Sequence, residues 1–324
     1  MPLTSKLSYL ISFLIVLIVI IAYIYLFNID LNILLNIEIE YVALASIVYT
    51  IAWFVSAVRL KIIFERVTGK QLSLKDYLLA RFIGSLIANL TPSSLGGEPG
   101  RSLVLSRKSG VEFAKTLAIT TYEDFFDVIL PNLIVLFLAV FKLPLTIPLL
   151  LISSLLISGS FLFITGITTD MGSKSRLRRI ATYIDSKIPS KIKASIRTFR
   201  DTLKYFRNNN DRGFMVKLLV LTLLYHVLSA LTIYILVLPI YLKHIADSLA
   251  YVDVFTTSIM AYFFSYVAGV VPTPGGAIAV EYGLTITLDP VAVVIVRVFM
   301  YAYIVVLGGM SFLSLPRMKS SSKR

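Results

Sequence analysis

The stretch NLTPSSLGGEPGR, residues 89–101, decides how this chain folds. It lies between apolar segments, yet it contains two prolines, three glycines, a glutamate and an arginine. Proline and adjacent glycines stop a helix, so the chain must break here. A later stretch, VPTPGGAIAVEYG at residues 271–283, repeats the Thr-Pro step, the Gly-Gly pair and a following glutamate. In a membrane protein, such paired breaks indicate a substrate site built from broken helices.

The composition is typical of a polytopic membrane protein. Of 324 residues, 57% are hydrophobic and 15% are charged, and the mean hydropathy is +0.85. The net charge of +13 falls in segments between apolar runs, where the positive-inside rule accounts for it, so we expect no nucleic-acid partner. With no cysteine and only His226 and His244, we expect no disulfide, metal site or cofactor.

Apolar runs and the charges between them predict about six spanning helices. Residues 28–40 carry acidic but no basic residues, which places them outside, whereas Lys6 and the C-terminal tail are basic. We therefore predict a multi-pass protein of the cell membrane with both termini in the cytoplasm. A basic cytoplasmic connection is expected to begin at Arg59, and a proline at position 131 is expected to interrupt the third span. The predicted spans are residues 7–27, 41–58, 112–141, 144–166, 214–240 and 291–315.

Residues 77–90 are too short to cross a bilayer. A helix of this length reaches about 21 Å, against a hydrocarbon core of about 30 Å. If the segment nevertheless crossed, Arg101, Arg107 and Lys108 would lie outside and every later loop would change sides. A hairpin that enters and leaves on the cytoplasmic side keeps all basic loops together, and irregular backbone at depth is tolerated where protein or water satisfies it.

The same reasoning gives a second hairpin, residues 254–270 and 277–288, which enters from outside. Residues 41–141 and 214–315 then form two repeats of opposite orientation within one membrane domain, residues 1–324. The predicted fold is an all-α polytopic membrane protein with about six spanning helices and two re-entrant helical hairpins in an inverted-topology repeat.

A basic segment, residues 170–213, separates the repeats. Residues 170–217 contain 13 lysines and arginines against 4 aspartates, which predicts a cytoplasmic position. Apolar residues at 180, 184, 188, 192, 196, 199 and 203 recur at helical spacing, so much of the segment should be an amphipathic helix on the membrane surface. A solvated loop without lipid preference is the alternative.

The half-helix ends at the two breaks are suited to an anion such as a phosphate. Glu123, Asp124 and Asp127 lie on a spanning helix, where an exposed charge would cost about 2.5–3.5 kcal/mol, so they must face protein or water. Arg297 needs an anionic partner for the same reason; the alternative to a ligand-binding role is that these charges simply pair with one another. His226 is expected to be a hydrogen-bonded interior residue. The predicted substrate-binding residues are Thr91, Pro92, Gly96, Gly97, Glu98, Arg101, Thr273, Pro274, Gly275, Gly276, Glu281 and Arg297, and the predicted charge network is Glu123, Asp127 and Arg81.

Several motifs together resemble a known family. They are AWFVSAVRLKIIF (residues 52–64), NLTPSSLGGEPGR, TYEDFFD (121–127), VPTPGGAIAVEYG and RVFMYAYIVVLGG (297–309). In this order they are similar to the membrane region of lysylphosphatidylglycerol synthase, the flippase-like domain family. The resemblance implies movement of modified lipids between leaflets, by a domain that occurs alone or fused to glycosyltransferases. The chain looks like the stand-alone form without the aminoacyl-transferase domain, and it departs from the family at Asp124, where an arginine is expected.

Three functions fit these features. The first is a lipid translocase that passes the headgroup of a phospholipid or polyprenyl-phosphate-linked lipid between the hairpins, with Arg101 and Arg297 attracting its phosphate. The second is a membrane-embedded transferase that acts on a polyprenyl-phosphate or phospholipid donor and uses Glu98 or Asp127 as a base. The third is a lipid-binding subunit that presents substrate to a partner transferase. We find no soluble catalytic motif and assign no catalytic residue; a membrane lipid with an anionic or phosphate-bearing headgroup is the expected partner, and a homo-oligomer is compatible with all three.

Overall fold

The computed structural model describes residues 38–91, 96–168, 189–209, 211–242, 249–273 and 276–314, with scattered positions between 14 and 26. Every regular element in these ranges is a helix. In chain order the first five are α1 (Ile39–Thr68), α2 (Leu74–Asn89), α3 (Gly97–Ser109), α4 (Phe113–Leu138) and α5 (Ile147–Thr168), with a 3-10 helix (Ala139–Lys142) after α4. The next five are α6 (Ser190–Asn208), α7 (Arg212–Leu242), α8 (Leu249–Ala268), α9 (Ala279–Thr285) and α10 (Pro290–Leu313).

Five of the described helices, α1, α4, α5, α7 and α10, are long and apolar enough to cross a membrane. The predicted all-α polytopic class is therefore confirmed. The predicted first span, residues 7–27, lies mostly outside the described residues, although Ile20 is helical and packs with Tyr301 of α10. Lys6, the C-terminal tail and residues 169–188 of the basic segment also lie outside them.

Local signals in the sequence account for the ends of several helices. The Ser73 hydroxyl accepts the backbone N–H of Asp76 at the start of α2, and the Asp289 carboxylate accepts that of Ala292 at the start of α10. Helices α1 and α3 end at Gly69 and Gly110, whose φ angles of 65° and 69° suit glycine best. These local signals set the start of α2 and the end of α3, the two helices on either side of the first break.

Two sequence predictions about helix limits are wrong. Helix α1 extends to Thr68, so Arg59 lies inside a helix and not in a cytoplasmic loop. Apolar residues continue on both sides of Arg59, and Leu60, Ile63 and Phe64 are fully buried, which keeps the helix attached to the core. Helix α4 is also not interrupted at Pro131, because neighbouring helices and polar side chains can satisfy backbone groups that a proline frees in such a helix.

Two regions make up most of the described core. One contains residues of α1 to α4, α6 and the start of α7, and the other joins the end of α4 to α5, α7, α8, α9 and α10. Helix α7 packs along α1, α2 packs on α3, and α8 packs on α9. Helix α10 lies against α2 and thereby connects the last span to the first broken pair.

Helix α6 is amphipathic, and its apolar face packs partly on protein. Leu203 and Phe206 are buried, and the Phe206 ring stacks on Tyr122 of α4 with centroids 3.8 Å apart. Ile192 and Ile196, nearer its start, are about half exposed. The contact of this segment with the membrane surface stays a prediction, for which the exposed Ile192 and Ile196 are available.

Arg66 ties the end of α1 to the start of α7. Its guanidinium donates to the Asn209 carbonyl at 3.1 Å and to the Asp211 carboxylate at 3.0 Å, and it lies 4.0 Å from the centre of the Phe214 ring. Hydrogen bonds from the Phe214 backbone N–H and from Arg66 hold the pKa of Asp211 below its usual range. Arg66 thus joins two long helices rather than lying in a free loop.

Candidate functional site

The first break lies between α2 and α3. Thr91 closes it, because its hydroxyl donates to the Ile87 carbonyl at 3.0 Å and accepts the Gly96 backbone N–H at 3.0 Å. A Cβ at Gly84 would collide with Arg101 and would lie 3.0 Å from the Gly97 carbonyl oxygen. The two half-helices therefore meet almost backbone to backbone, as a hairpin. Pro92 lies outside the described residues.

The second break lies between α8 and α9. The Thr273 hydroxyl donates to the Ala277 carbonyl at 2.8 Å, and Gly276 has a φ of 66°. Here too a glycine permits close contact, since a Cβ at Gly283 would lie 2.6 Å from the Phe264 carbonyl oxygen. Helix α9 has only 7 residues, shorter than the predicted segment 277–288. Pro274 and Gly275 lie outside the described residues.

A cluster of opposite charges lies beside the first break, centred on Glu123 of α4. The Glu123 carboxylate accepts Arg59 Nε at 3.1 Å and Arg101 Nη1 at 3.5 Å, and it is also paired with Arg81. Arg59 donates to both oxygens of Asp127, at 2.6 and 2.5 Å. Arg59 and Glu123 are 0% exposed, so the cluster supplies the partners that buried charges require.

Arg101 links this cluster to the tip of α3. Its Nη2 lies 2.5 Å from both carboxylate oxygens of Asp124 and 3.4 Å from Glu98. Asp124 is thus a principal partner of Arg101. The Glu98 and Asp124 side chains are 33% and 20% exposed, and they form the accessible edge of an otherwise buried cluster.

The second hairpin has its own ion pair. Arg297 of α10 donates from Nε to Glu281 of α9 at 2.6 Å, and both residues are buried. The prediction that Arg297 needs an anionic partner is confirmed. This pair joins the short helix α9 to the last spanning helix.

Both hairpins contribute to one cavity of about 470 Å³. The first hairpin contributes Gly84, Ala88 and Gly97, and the second contributes Gly269 and Val280. The predicted site residues that line the cavity are Arg81, Gly97, Glu98, Arg101, Asp127 and Arg297. The described ones that do not line it are Thr91, Gly96, Glu123, Thr273, Gly276 and Glu281; they close the breaks or hold the lining arginines.

Sequence reasoning missed two components of this site. The first is Arg59, whose position inside the uninterrupted apolar run AWFVSAVRLKIIF was the available signal. The second is an aromatic wall, for which the sequence gives no local signal because its members come from three helices. The wall consists of Tyr49, Trp53, Tyr225, Tyr262 and Tyr266.

His226 of α7 is buried, as predicted. Its Nδ1 lies 2.7 Å from the Tyr262 hydroxyl, and its Nε2 lies 3.5 Å from Asp127.

The arrangement can hold a polar group of either sign inside an apolar bundle. The cavity contains three arginines and three carboxylates, each held by helices rather than by loops. Among the described residues, no group of three or more histidine, aspartate and glutamate side chains is placed to hold a metal ion. The charged side chains that line the cavity can form ion pairs and hydrogen bonds with a bound polar group.

Comparisons with known proteins identify the family. The family model for the lysylphosphatidylglycerol synthase TM region matches residues 7–309, which include both broken hairpins and the charge cluster. Neither the curated proteins nor the solved structures gave a match. Membership implies a membrane protein involved in lipid modification or translocation. The chain belongs to the lysylphosphatidylglycerol synthase TM region family.

Proposed function

We propose that this protein is a lipid translocase that passes a polar headgroup through the cavity between the two hairpins while the hydrocarbon chains stay in the bilayer. The observation that carries the proposal is the single charged cavity to which both hairpins contribute. Moving a charged headgroup into hydrocarbon costs a large free energy, and fixed opposite charges inside the bundle offset that cost.

Charge balance at the cavity favours a headgroup that carries both a phosphate and a cationic group. Arg101 already has Asp124 and Glu98 as partners, so a phosphate must compete with these carboxylates for it. A headgroup with both charges can replace the internal pair, since its phosphate takes Arg101 and its cation takes Glu98 or Asp124. The exchange keeps every charge paired, which lowers the cost of binding at a buried site.

The other buried charges have partners of their own, so the replacement of internal ion pairs by headgroup charges is restricted to Arg101, Glu98 and Asp124. Glu123 and Asp127 are held by Arg59 and Arg81, and Arg297 is held by Glu281. In the proposed cycle, the Arg297–Glu281 pair offers the phosphate its second binding point, on the side of the other hairpin. A coupling proton would bind a carboxylate such as Glu123 or Asp127, and Arg81 belongs to the charge network that holds Glu123.

Topology is part of the proposal. The hairpin α2–α3 opens to the cytoplasm and α8–α9 opens to the outside, within two inverted repeats of residues 41–141 and 214–315. Both termini lie in the cytoplasm and the protein lies in the cell membrane. The cavity between the hairpin tips then lies near the middle of the bilayer, where a crossing headgroup has no water and needs polar partners from the protein.

The test is a leaflet-exchange assay with purified protein in vesicles of phosphatidylethanolamine and phosphatidylglycerol. The probe is a phosphatidylethanolamine with a nitrobenzoxadiazole label on one acyl chain, which leaves the phosphate and the ammonium of the headgroup unchanged. Dithionite bleaches this label in the outer leaflet only, so loss of the inner-leaflet signal reports exchange. We expect exchange with the natural protein and a slowing of about tenfold with Glu98→Gln, which corresponds to about 1.4 kcal/mol. Asp201→Asn, the same kind of change at a side chain 61% exposed and outside the cavity, should exchange normally.

The same vesicles separate the translocase from the two other functions. A translocase leaves every lipid with its original mass, whereas a transferase produces a new lipid species that mass spectrometry detects. A presenting subunit exchanges nothing on its own. Equal exchange in protein-free vesicles and in vesicles with the natural protein would overturn the proposal.

A further inference from the structure

A second cavity, of about 540 Å³, lies beside the polar one and is mostly apolar. Helices α4 and α5 form its two long walls, with Phe125 on one side and Leu155 and Phe163 on the other. Helix α6 contributes Phe199 and Leu203 at one end. We call this cavity the α4–α5 groove.

The α4–α5 groove adjoins the polar cavity. Glu98, Asp124, Val128 and Leu156 line both. Glu98 and Asp124 are also the only charged side chains that line the groove among the described residues. Both charged residues therefore lie where the groove meets the polar cavity, and the other described residues that line the groove are uncharged.

The groove faces the part of the bundle that is most open to lipid. In α5, 11% of the most apolar window is buried, whereas the other four candidate spans have 33% to 50% buried. Leu155 is 73% exposed and Phe163 is 46% exposed. An apolar surface of this kind on a spanning helix is covered by hydrocarbon, because water is absent at that depth.

We infer that the α4–α5 groove binds a hydrocarbon chain of the lipid whose headgroup occupies the polar cavity, with Glu98 and Asp124 at the boundary between headgroup and chain. The inference rests on the proposed function and adds the side from which the lipid enters, between α4 and α5. A lipid matches this arrangement because its polar headgroup and its apolar chains are adjacent, and the polar cavity and the apolar groove are adjacent as well.

Two glycines of α5 allow a matched test. A Cβ at Gly159 or at Gly166 meets no atom within 4 Å, and both residues are exposed, but only Gly159 lines the groove. Gly159→Leu therefore places a branched side chain at the groove from a Cβ position that has no close contact, and Gly166→Leu adds the same side chain elsewhere on the same helix. Both changes raise helix propensity, so neither should impair folding.

The probe is a phosphatidylethanolamine with a photoreactive diazirine in one acyl chain, in vesicles of phosphatidylethanolamine and phosphatidylglycerol. After irradiation, peptide mass spectrometry maps the adducts. We expect adducts concentrated on groove residues such as Phe125 and Leu155, a loss of at least fivefold in Gly159→Leu, and no loss in Gly166→Leu. Leaflet exchange should fall in parallel in Gly159→Leu only.

The outcomes separate this inference from the proposed function. Adducts in the groove that Gly159→Leu removes, without any exchange in the natural protein, would retain the lipid groove and overturn the translocase. Exchange in the natural protein that Gly159→Leu leaves unchanged would retain the translocase and overturn the groove as its entry path. Adducts spread evenly over all spanning helices would overturn the groove directly.

Discussion

Arg59 holds the charge cluster together from within α1. One guanidinium bonds Glu123, both oxygens of Asp127 and, at 2.7 Å, the Thr222 hydroxyl of α7. These contacts connect α1, α4 and α7 at a point where no side chain of the group is more than slightly exposed. Removing one partner of a buried pair costs more than the pair contributes, because the remaining charge keeps its desolvation penalty.

We therefore predict that Arg59→Met destabilises the protein by about 3–5 kcal/mol, since Asp127 loses its bidentate partner. Fluorescence of the single tryptophan, Trp53, provides the unfolding signal in detergent. The control is Arg197→Met, which removes an arginine 85% exposed and 3.8 Å from Asp201. That surface pair should contribute about 0–1 kcal/mol. Equal losses of stability in the two variants would contradict this role for Arg59.

For single residues, the sequence predicts which charges need partners but not which partners they take. Placing Glu123, Asp127 and Arg297 in apolar helices is enough to require pairing. The partner of Asp127 is Arg59, 68 positions away, and it depends on how α1 packs beside α4. The positive-inside rule places Arg59 in a loop, because it treats a basic residue near the end of a span as cytoplasmic.

Close backbone contact between helices shapes both hairpins. Gly84 allows α2 to touch α3, and Gly283 allows α9 to touch α8. A third such contact joins the last span to the first hairpin, because a Cβ at Gly308 of α10 would lie 2.7 Å from the Leu86 Cβ and 3.0 Å from the Phe82 carbonyl oxygen of α2. Small residues at such crossings are typical of helix packing in membranes.

Gly308 and Gly309 form a natural pair of test and control. We predict that Gly308→Ala destabilises the protein by about 1–3 kcal/mol, because the methyl group pushes α10 away from α2. A Cβ at Gly309 meets nothing within 4 Å, so Gly309→Ala should be neutral or should stabilise by up to about 1 kcal/mol. Thermal unfolding of both variants provides the comparison. A Gly308→Ala protein as stable as the Gly309→Ala protein would rule out this contact.

Helix type and approximate position could be predicted at the element scale, whereas exact ends could not. Helix α2 begins at Leu74, close to the predicted residue 77, because Ser73 provides a cap that the sequence displays. Helix α1 continues ten residues beyond its predicted end, to Thr68, because tertiary burial of Ile63 and Phe64 outweighs the local charges. Helix α9 is shorter than predicted, and no local signal in the sequence marks its end.

For the whole molecule, the proposed orientation assigns each end of α1 to one side of the membrane. Helix α1 has 30 residues and reaches about 45 Å, so Glu38 and Gln71 lie near opposite faces. Gln71 shares its side with the open end of the first hairpin, where Lys108 lies 3.0 Å from Asp76. Asp253 of α8 belongs to the opposite side in the proposed inverted repeat.

A chain without cysteine makes this orientation measurable with single introduced thiols. We predict that an impermeant maleimide added to intact cells labels Glu38→Cys and Asp253→Cys but not Gln71→Cys. After permeabilisation, Gln71→Cys should label as well, which controls for burial. Labelling of Gln71→Cys from outside would reverse the proposed orientation, and labelling of Asp253→Cys only after permeabilisation would contradict the inverted repeat.

We propose that one cavity between the two hairpins opens to both sides of the membrane, and the accessibility of Ser85 from each side decides whether it does. Ser85 of α2 lines the cavity, and in Ser85→Cys the thiol is the only one in the protein. An impermeant methanethiosulfonate reagent is applied separately to vesicles of known orientation, from outside and from inside. We expect modification of Ser85→Cys from both sides. Modification from one side only, with Glu38→Cys and Gln71→Cys each reacting from its own side, would show that the cavity does not open to both sides.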